Sequence, residues 1–301
     1  MMDVTDRHCR FFLRQVNAKA RLYTEMITSA ALIHGDVRRH LEFSKEEHPV
    51  ALQLGGSEPD ELARCAKLGE QFGYDEINLN IGCPSERVQC GAFGACLMAE
   101  PVLVRDCVSA IRSEVSLPVT VKHRIGIDKV EDYAFVRDFV GTVAQGGCRT
   151  FIVHARNAVL KGLSPRENRE IPPLKYDYVY KLKKDFPQVE IVINGGVVSQ
   201  EQIQTHLRHV DGVMIGRAAY SNPWFLADPG KTRAEVVHAM YEYAKRVESL
   251  RHVTRHVLGL YHGMPRARLW RQMLSDSNEL KRNDASLLLR ALEAVEELER
   301  V

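Results

Sequence analysis

The chain has 301 residues, 45% hydrophobic and 27% charged, with a formal net charge of +2 at pH 7. This is ordinary globular composition, long enough for one large domain and a small one. No apolar run approaches the ~20 residues of a membrane span, and the opening MMDVTDRH lacks the apolar core of a signal peptide, so a cytoplasmic location is expected.

In chain order, residues 8–18 (HCRFFLRQVNA) read as helix. Short β-branched runs follow at 21–26, 49–54, 76–80, 118–124, 150–155, 190–195 and 212–217. Each is apolar and bounded by Pro, Gly or charge, as for strands buried on both faces. Helical periodicity lies between them. It is clearest at 59–72, where Ser57 is the expected cap, and at 102–115. Alternation of this kind predicts a parallel sheet. After the loop Ala227-Asp228-Pro229-Gly230 the chain reads only as helix: 232–248 capped by Thr232, 253–261 ending at Gly263, 267–274 and 285–299. The expected domains are 1–228, α/β, and 229–301, small and all-α.

A doubly wound sheet with a dinucleotide site wants G-x-G-x-x-G after its first strand. Neither that motif nor a Walker A motif occurs. A (β/α)8 barrel wants polar groups at the C-terminal ends of many strands and a phosphate site after the last two. The strand ends carry Asn78 and Asn80, Lys122 and Arg124, His154 and Arg156, Asn194-Gly195-Gly196, and Gly216-Arg217. The barrel is therefore expected, with seven strands, because nothing before Arg21 reads as the first one.

Of seven cysteines (9, 65, 83, 90, 96, 107 and 148), none forms C-x-x-C, and the count is odd. Neither a disulfide framework nor a zinc ribbon is expected, and no metal. Most should be small buried hydrophobes. Cys83 differs. It follows Asn78-Leu79-Asn80-Ile81-Gly82, just beyond a strand end, in a loop holding Gly82, Gly91 and Gly94. Catalytic groups collect at such a barrel mouth. A thiol there can be a nucleophile, which needs a base, or a general acid, which an ordinary thiol of pKa ~8.5 supplies at neutral pH. Position does not choose between these roles.

Lys122 and Arg124 share one face of their strand and His123 takes the other. Two cations at one mouth imply an anion there; the competing reading packs them against an interior carboxylate such as Glu25. Glycines at 195, 196 and 216 let backbone N–H groups approach a phosphate, and Arg217 adds a charge. His154 reads equally as a ligand contact or as a satisfied core histidine. Residues 251–271 (RHVTRHVLGLYHGMPRARLWR) hold five arginines, three histidines and no acid. That suits phosphate contact, or else a solvated helix face balanced elsewhere.

Taken together, several motifs carry a resemblance. They are Met-Met-Asp-x-Thr-Asp-Arg-His-Cys-Arg at 1–10, Leu-Tyr-Thr-Glu-Met at 22–26, Val-Ala-Leu-Gln-Leu-Gly-Gly at 50–56 and Asn-Leu-Asn-x-Gly-Cys-Pro-Ser at 78–85. Further along are Val-Thr-Val-Lys-His-Arg-Ile-Gly at 119–126, Phe-Ile-Val-His-Ala-Arg at 151–156, Ser-Pro-x-Glu-Asn-Arg-Glu-Ile-Pro-Pro-Leu at 164–174, Ile-Asn-Gly-Gly at 193–196 and Asp-Gly-Val-Met-Ile-Gly-Arg at 211–217. The chain resembles the tRNA-dihydrouridine synthases, and the Lys-His-Arg-Ile-Gly and Glu-Asn-Arg-Glu-Ile-Pro-Pro-Leu segments resemble the A subfamily.

The resemblance implies an FMN enzyme with NADPH as electron donor. Reduced FMN delivers hydride from N5 to C6 of a uracil, and Cys83 protonates C5. The implied targets are D-loop uridines 20 and 20a of tRNA, which must leave their stack to react. Implied FMN contacts are Met1 and Met2 by backbone, Gln53, Lys122 (beside the flavin N1/C2-carbonyl region), His154, Asn194, Gly195, Gly196, Gly216 and Arg217. Asn80 and Arg124 are to face the uracil; Arg166, Arg169, Arg268 and Arg271 are to meet tRNA. Residues 1–228 become the FMN-binding catalytic domain and 229–301 the tRNA-binding one, in a monomer. In the family the Met-Met motif follows a strand ending in Ala-Pro, so a version extended upstream is expected to bind FMN more tightly and melt higher. A free-base dehydrogenase of dihydropyrimidine or dihydroorotate type would leave the basic helical region unexplained. A flavin-less tRNA-binding protein would be colourless.

Overall fold

A computed structural model describes residues 1–85, 88, 91–130 and 132–296. Helix α1 (Arg7–Val16) precedes a seven-stranded sheet. Its strands are β1 (Leu22–Thr28), β2 (Val50–Gly55), β3 (Glu76–Ile81), β4 (Val119–Arg124), β5 (Thr150–His154), β6 (Glu190–Asn194) and β7 (Gly212–Met214). They lie side by side in chain order, and β2 through β7 pair in parallel. Parallel neighbours need a crossover. The helices α2 (Ser29–His34), α3 (Val37–Leu41), α4 (Pro59–Phe72), α5 (Pro101–Glu114), α6 (Tyr133–Gln145), α7 (Tyr176–Asp185) and α8 (Gln200–Leu207) supply it. This is the seven-stranded barrel-type α/β fold expected from the strand pattern.

Cap chemistry sets several helix starts. Asp132 and Ser199 accept from the third residue on, at the heads of α6 and α8. The expected Ser57 cap on α4 is not used: Glu58 is the cap residue, without a side-chain bond, and Pro59 opens the helix. Helix α4 lies close against the sheet because Gly69 has no side chain; a Cβ there would fall 2.6 Å from Leu52 Cδ2.

The two faces of the sheet differ in chemistry. Leu52, Leu54, Ile77, Leu79, Ile81, Val121, Phe151, Val153, Ile191 and Ile193 alternate onto one face and are buried. The other face carries Gln53, Glu76, Asn78, Asn80, Thr120, Lys122, Arg124, His154 and Asn194 along the same strands. Most of this second set is also buried, which is sustainable only if its polar groups are paired.

Packing divides the chain into two compact units. The first comprises Met1, Tyr23–Phe43 and His48–Ile215; the second comprises Met2–Leu22, Ser44–Glu47 and the chain from Gly216 onward. The expected division at 228 does not follow these units, and residues 2–22 and 216–228 explain why. In the second unit Phe11, Phe12 and Val16 of α1 join an apolar core built from α10 (Arg233–Ala244), α11 (Leu250–Val257), α12 (Ala267–Ser275) and α14 (Leu287–Glu296). α9 (Arg217–Ser221) and α13 (Ser277–Arg282) also belong to this unit. Phe11 stacks on Tyr243 with centroids 4.0 Å apart. Asn17 Nδ2 donates to the Leu226 carbonyl at 2.7 Å, and the Ala18 N–H donates to Asp228 at 2.7 Å. Arg10 pairs with Glu47 at 2.6 Å, both side chains buried. An amphipathic first helix thus finds its core with the later helices rather than with the sheet.

Within the second unit Thr232 caps α10 in a capping box with Glu235, as expected from the sequence. Trp270 is fully buried and its Nε1 donates to the Val257 carbonyl at 3.0 Å. No helix among the described residues is long and apolar enough to cross a membrane.

Candidate active site

Strand β3 ends at Ile81, and the chain turns at once. The Asn80 Oδ1 accepts the backbone N–H of both Gly82 and Cys83, each at 3.0 Å. This Asx turn sets where Cys83 begins, and Pro84 keeps Cys83 from helical geometry. The return leg is tied by the Ala95 N–H to the Cys83 carbonyl at 2.9 Å. The Cys83 thiol is half-buried and lies 3.4 Å from the Ser85 hydroxyl. Cys9, Cys65, Cys107 and Cys148 are buried, and burial pushes their thiols up, to about 12, 11, 12 and 12. That makes them poor acids and poor nucleophiles. Cys96 is half-buried, is pushed up by burial and bonds the Phe93 carbonyl. Cys90 lies outside the described residues.

The amide of Asn80 donates to Gln53 Oε1 at 2.8 Å, and Gln53 Nε2 donates to Asn78 Oδ1 at 2.8 Å. The second N–H of each amide has no hydrogen-bond partner among the described residues. Lys122 stands opposite Asn80 in the β3–β4 register. Burial pushes its ammonium down to about 8, Arg124 adds to that, and Cys83 acts in the opposite direction. No carboxylate pairs with Lys122 among the described residues. Glu25, the interior carboxylate considered as its partner, forms no ion pair with it among the described residues.

Arg124, expected to face the uracil, is set among backbone carbonyls. It is buried and donates to the backbone carbonyls of Gly82 at 3.3 Å, Asn157 at 3.1 Å and Asn168 at 2.8 Å. Its guanidinium thus joins the Cys83 loop to the loop after β5. Burial holds it down to about 10. His123, on the apolar face, lies between Phe139 and Phe151 with Nδ1 2.6 Å from the Arg124 carbonyl.

Register brings Arg124, His154 and Asn194 into one row across β4, β5 and β6. Asn194 Nδ2 donates to the Met214 carbonyl at 2.9 Å. Gly195 and Gly196 follow with φ of 113° and 74°. A Cβ on Gly195 would meet His154 Cδ2 at 2.6 Å, so ring and backbone are in close contact. Tyr176 OH donates to the Gly195 carbonyl at 2.7 Å and pins the turn.

The other expected residues fall as follows. Met1 and Met2 are exposed. Gly216 and Arg217 belong to the second unit, where Gly216 precedes α9 and Arg217 is exposed. Arg166 and Arg169 sit on the exposed loop after β5, with Arg166 near Glu170 at 3.7 Å. That loop is organised by Asn168, wholly buried, which bonds the backbone at Val159, Leu163 and Ser164. Arg268 and Arg271 are both exposed on α12, whose buried residues are Ala267, Trp270 and Leu274. Sequence reasoning missed Glu76, Thr120, Asn157, Asn168 and Tyr176. Glu76 carried a signal, a lone acid in phase with Asn78 and Asn80. The others show their roles only through partners distant in sequence.

The family described as Dihydrouridine synthase (Dus) matches residues 1–296. The chain is 56% identical to the tRNA-dihydrouridine(20/20a) synthase of Synechocystis sp. over 310 residues, covering 98% of the chain and 92% of that relative. Identity is 56% to the protein of the same name from Salmonella typhimurium, covering 98% and 93%, and 55% to that from Escherichia coli (strain K12), covering 98% and 90%. With the barrel-type sheet and the polar mouth around Cys83, a match of this extent makes the chain a member of the dihydrouridine synthase family.

Proposed function

We propose that the chain reduces the C5–C6 double bond of uridines 20 and 20a in the D-loop of tRNA, with Cys83 as general acid. The observation that carries the reading is a half-buried thiol just past the end of β3, on a turn whose Cys83 backbone N–H donates to Asn80, with Cys83 opposing the burial that lowers Lys122. The positions named come from the relatives, whose printed names specify 20/20a.

The residues of the polar face fit FMN. Lys122 is a depressed cation without a carboxylate partner among the described residues, suited to negative charge on a reduced flavin ring. Gly195 and Gly196 form a cradle that a side chain would fill. Gln53, Lys122, His154, Asn194, Gly195 and Gly196 would hold the group. The chemistry supplied by bound FMN, with NADPH as reductant, is a hydride for C6 of the uracil.

The Cys83 thiol then delivers its proton to C5. The thiolate that remains is stabilised by the Lys122 ammonium, since opposite charges attract strongly in a partly desolvated site. The free N–H of Asn80 is available to the uracil carbonyls. Exposed Arg166 and Arg169 in the first unit, and Arg268 and Arg271 in the second, are the proposed phosphate contacts.

Replacing Cys83 with Ala tests the reading. Flavin absorbance should persist while dihydrouridine formation on unmodified tRNA falls by roughly 10²-fold or more, the scale of a lost general acid. Product formation at the wild-type rate would remove Cys83 from the mechanism.

A further inference from the structure

We infer that Glu76 and Thr120 are positioning residues for Cys83, acting through a one-way chain of side-chain hydrogen bonds along the polar face of the sheet. The role in catalysis rests on the reading of Cys83 as the acid; the chain of bonds does not.

Five side chains on three neighbouring strands form the relay. The Thr120 hydroxyl donates to Glu76 Oε1 at 2.6 Å. Asn78 Nδ2 donates to Thr120 Oγ1 at 2.8 Å. Gln53 Nε2 donates to Asn78 Oδ1, and Asn80 Nδ2 donates to Gln53 Oε1, both at 2.8 Å. Asn80 Oδ1 receives the N–H groups of Gly82 and Cys83. Tyr23 OH gives Glu76 a second donor at 3.1 Å.

The ends of the chain dictate its direction. A carboxylate accepts and cannot donate, whereas a backbone N–H donates and cannot accept. Thr120 has one proton, and it goes to Glu76, so the hydroxyl must accept from Asn78. Each amide in turn presents its oxygen toward Cys83. Reversing any one of them would set N–H against N–H or oxygen against oxygen in a buried site, where unpaired polar groups are heavily penalised. Glu76 is almost fully buried, and Asn78 and Thr120 are buried beside it. Glu76 lies four residues before Asn80 on the same strand. Its effect on the Cys83 loop is carried by the orientation of the amides between them.

The test uses three variants of the full chain. Thr120→Val keeps the shape and removes the hydroxyl. Glu76→Gln can donate to Thr120 and so reverse it. Thr120→Ser keeps the hydroxyl and should rescue. Amide hydrogen exchange of the peptide spanning residues 79–85 reads the Asx turn directly. Exchange at Gly82 and Cys83 should quicken by about five-fold in Thr120→Val and Glu76→Gln, the factor one net hydrogen bond carries, and should return to wild type in Thr120→Ser. On tRNA, kcat should fall by about ten-fold, as a misplaced acid would cause, with KM little changed. Wild-type exchange in Thr120→Val would overturn the relay, whatever Cys83 does. Should that variant not fold, Glu76→Gln gives the same readout. Faster exchange with wild-type kcat would overturn the positioning role. Wild-type product formation by Cys83→Ala would instead overturn the acid reading beneath it.

Discussion

Arg124 Nη1 donates to the backbone carbonyl of Asn168 at 2.8 Å, which ties the floor of the sheet's polar mouth to a surface loop. The same nitrogen reaches the Asn157 carbonyl, and Nε reaches Gly82. Replacing Arg124 with Met should leave these buried carbonyls short of donors and lower stability by roughly 2–4 kcal/mol. Denaturant unfolding measures the loss. Limited proteolysis between residues 157 and 170 should quicken in parallel. A variant with wild-type stability and cleavage would refute the tie.

Gly195 sits at φ 113° with its α-carbon against the His154 ring. Ala there must adopt a strained backbone, at about 1–3 kcal/mol, and must also displace the ring or Leu174. On the proposed FMN reading, Gly195→Ala should therefore lose FMN during purification or hold it at least about ten-fold more weakly, on the same energy scale. Flavin fluorescence titration of the apoprotein reads this. Wild-type FMN affinity would show that the turn is not the phosphate cradle.

Two histidines should make stability fall in mild acid. Burial holds His123 in the first unit and His8 in the second down to about 4, against an ordinary 6.5. Below pH 6.5 the unfolded chain binds protons that the folded chain refuses. The stabilisation is thus complete above pH 6.5 and is lost progressively as pH falls toward 4, by up to on the order of 3 kcal/mol for the fully buried His123. His123→Asn retains a donor near the Nδ1 position and removes the titration. Urea unfolding between pH 7.5 and 5 should show a shallower decline for this variant, and an unchanged slope would exclude His123 as the source.

Arg268 and Arg271 point from the same exposed side of α12 and carry no ion pair among the described residues. Replacing both with Gln should weaken tRNA binding and reduce the slope of log Kd against log salt by roughly 1.5, the contribution of two phosphate contacts. Because Trp270 and Leu274, not the two exposed arginines, bury the helix, the melting temperature should stay close to wild type. An unchanged salt slope would reject the phosphate role.

Local sequence determined the number, order and direction of the strands, the helical character of the C-terminal part, and the residues at the mouth. Periodicity and Gly-Pro punctuation are short-range signals, and seven apolar runs between helical patterns leave few arrangements other than a parallel sheet. Cys83, Lys122 and Gly195-Gly196 were legible because each stands at a strand end, where a polar group or a glycine is conspicuous. Tertiary structure alone decided three other matters. It assigned α1 to the helical unit, because Phe11 and Phe12 bury their surface wherever a complementary apolar core exists, and sequence distance does not enter that choice. It made Arg124 a tie between loops, since carbonyls at 82, 157 and 168 converge on it only after folding. It also joined Glu76 to Cys83. Alternation along β3 puts Glu76, Asn78 and Asn80 on one face, but Gln53 and Thr120, which close the chain of hydrogen bonds, come from neighbouring strands whose register no local pattern records.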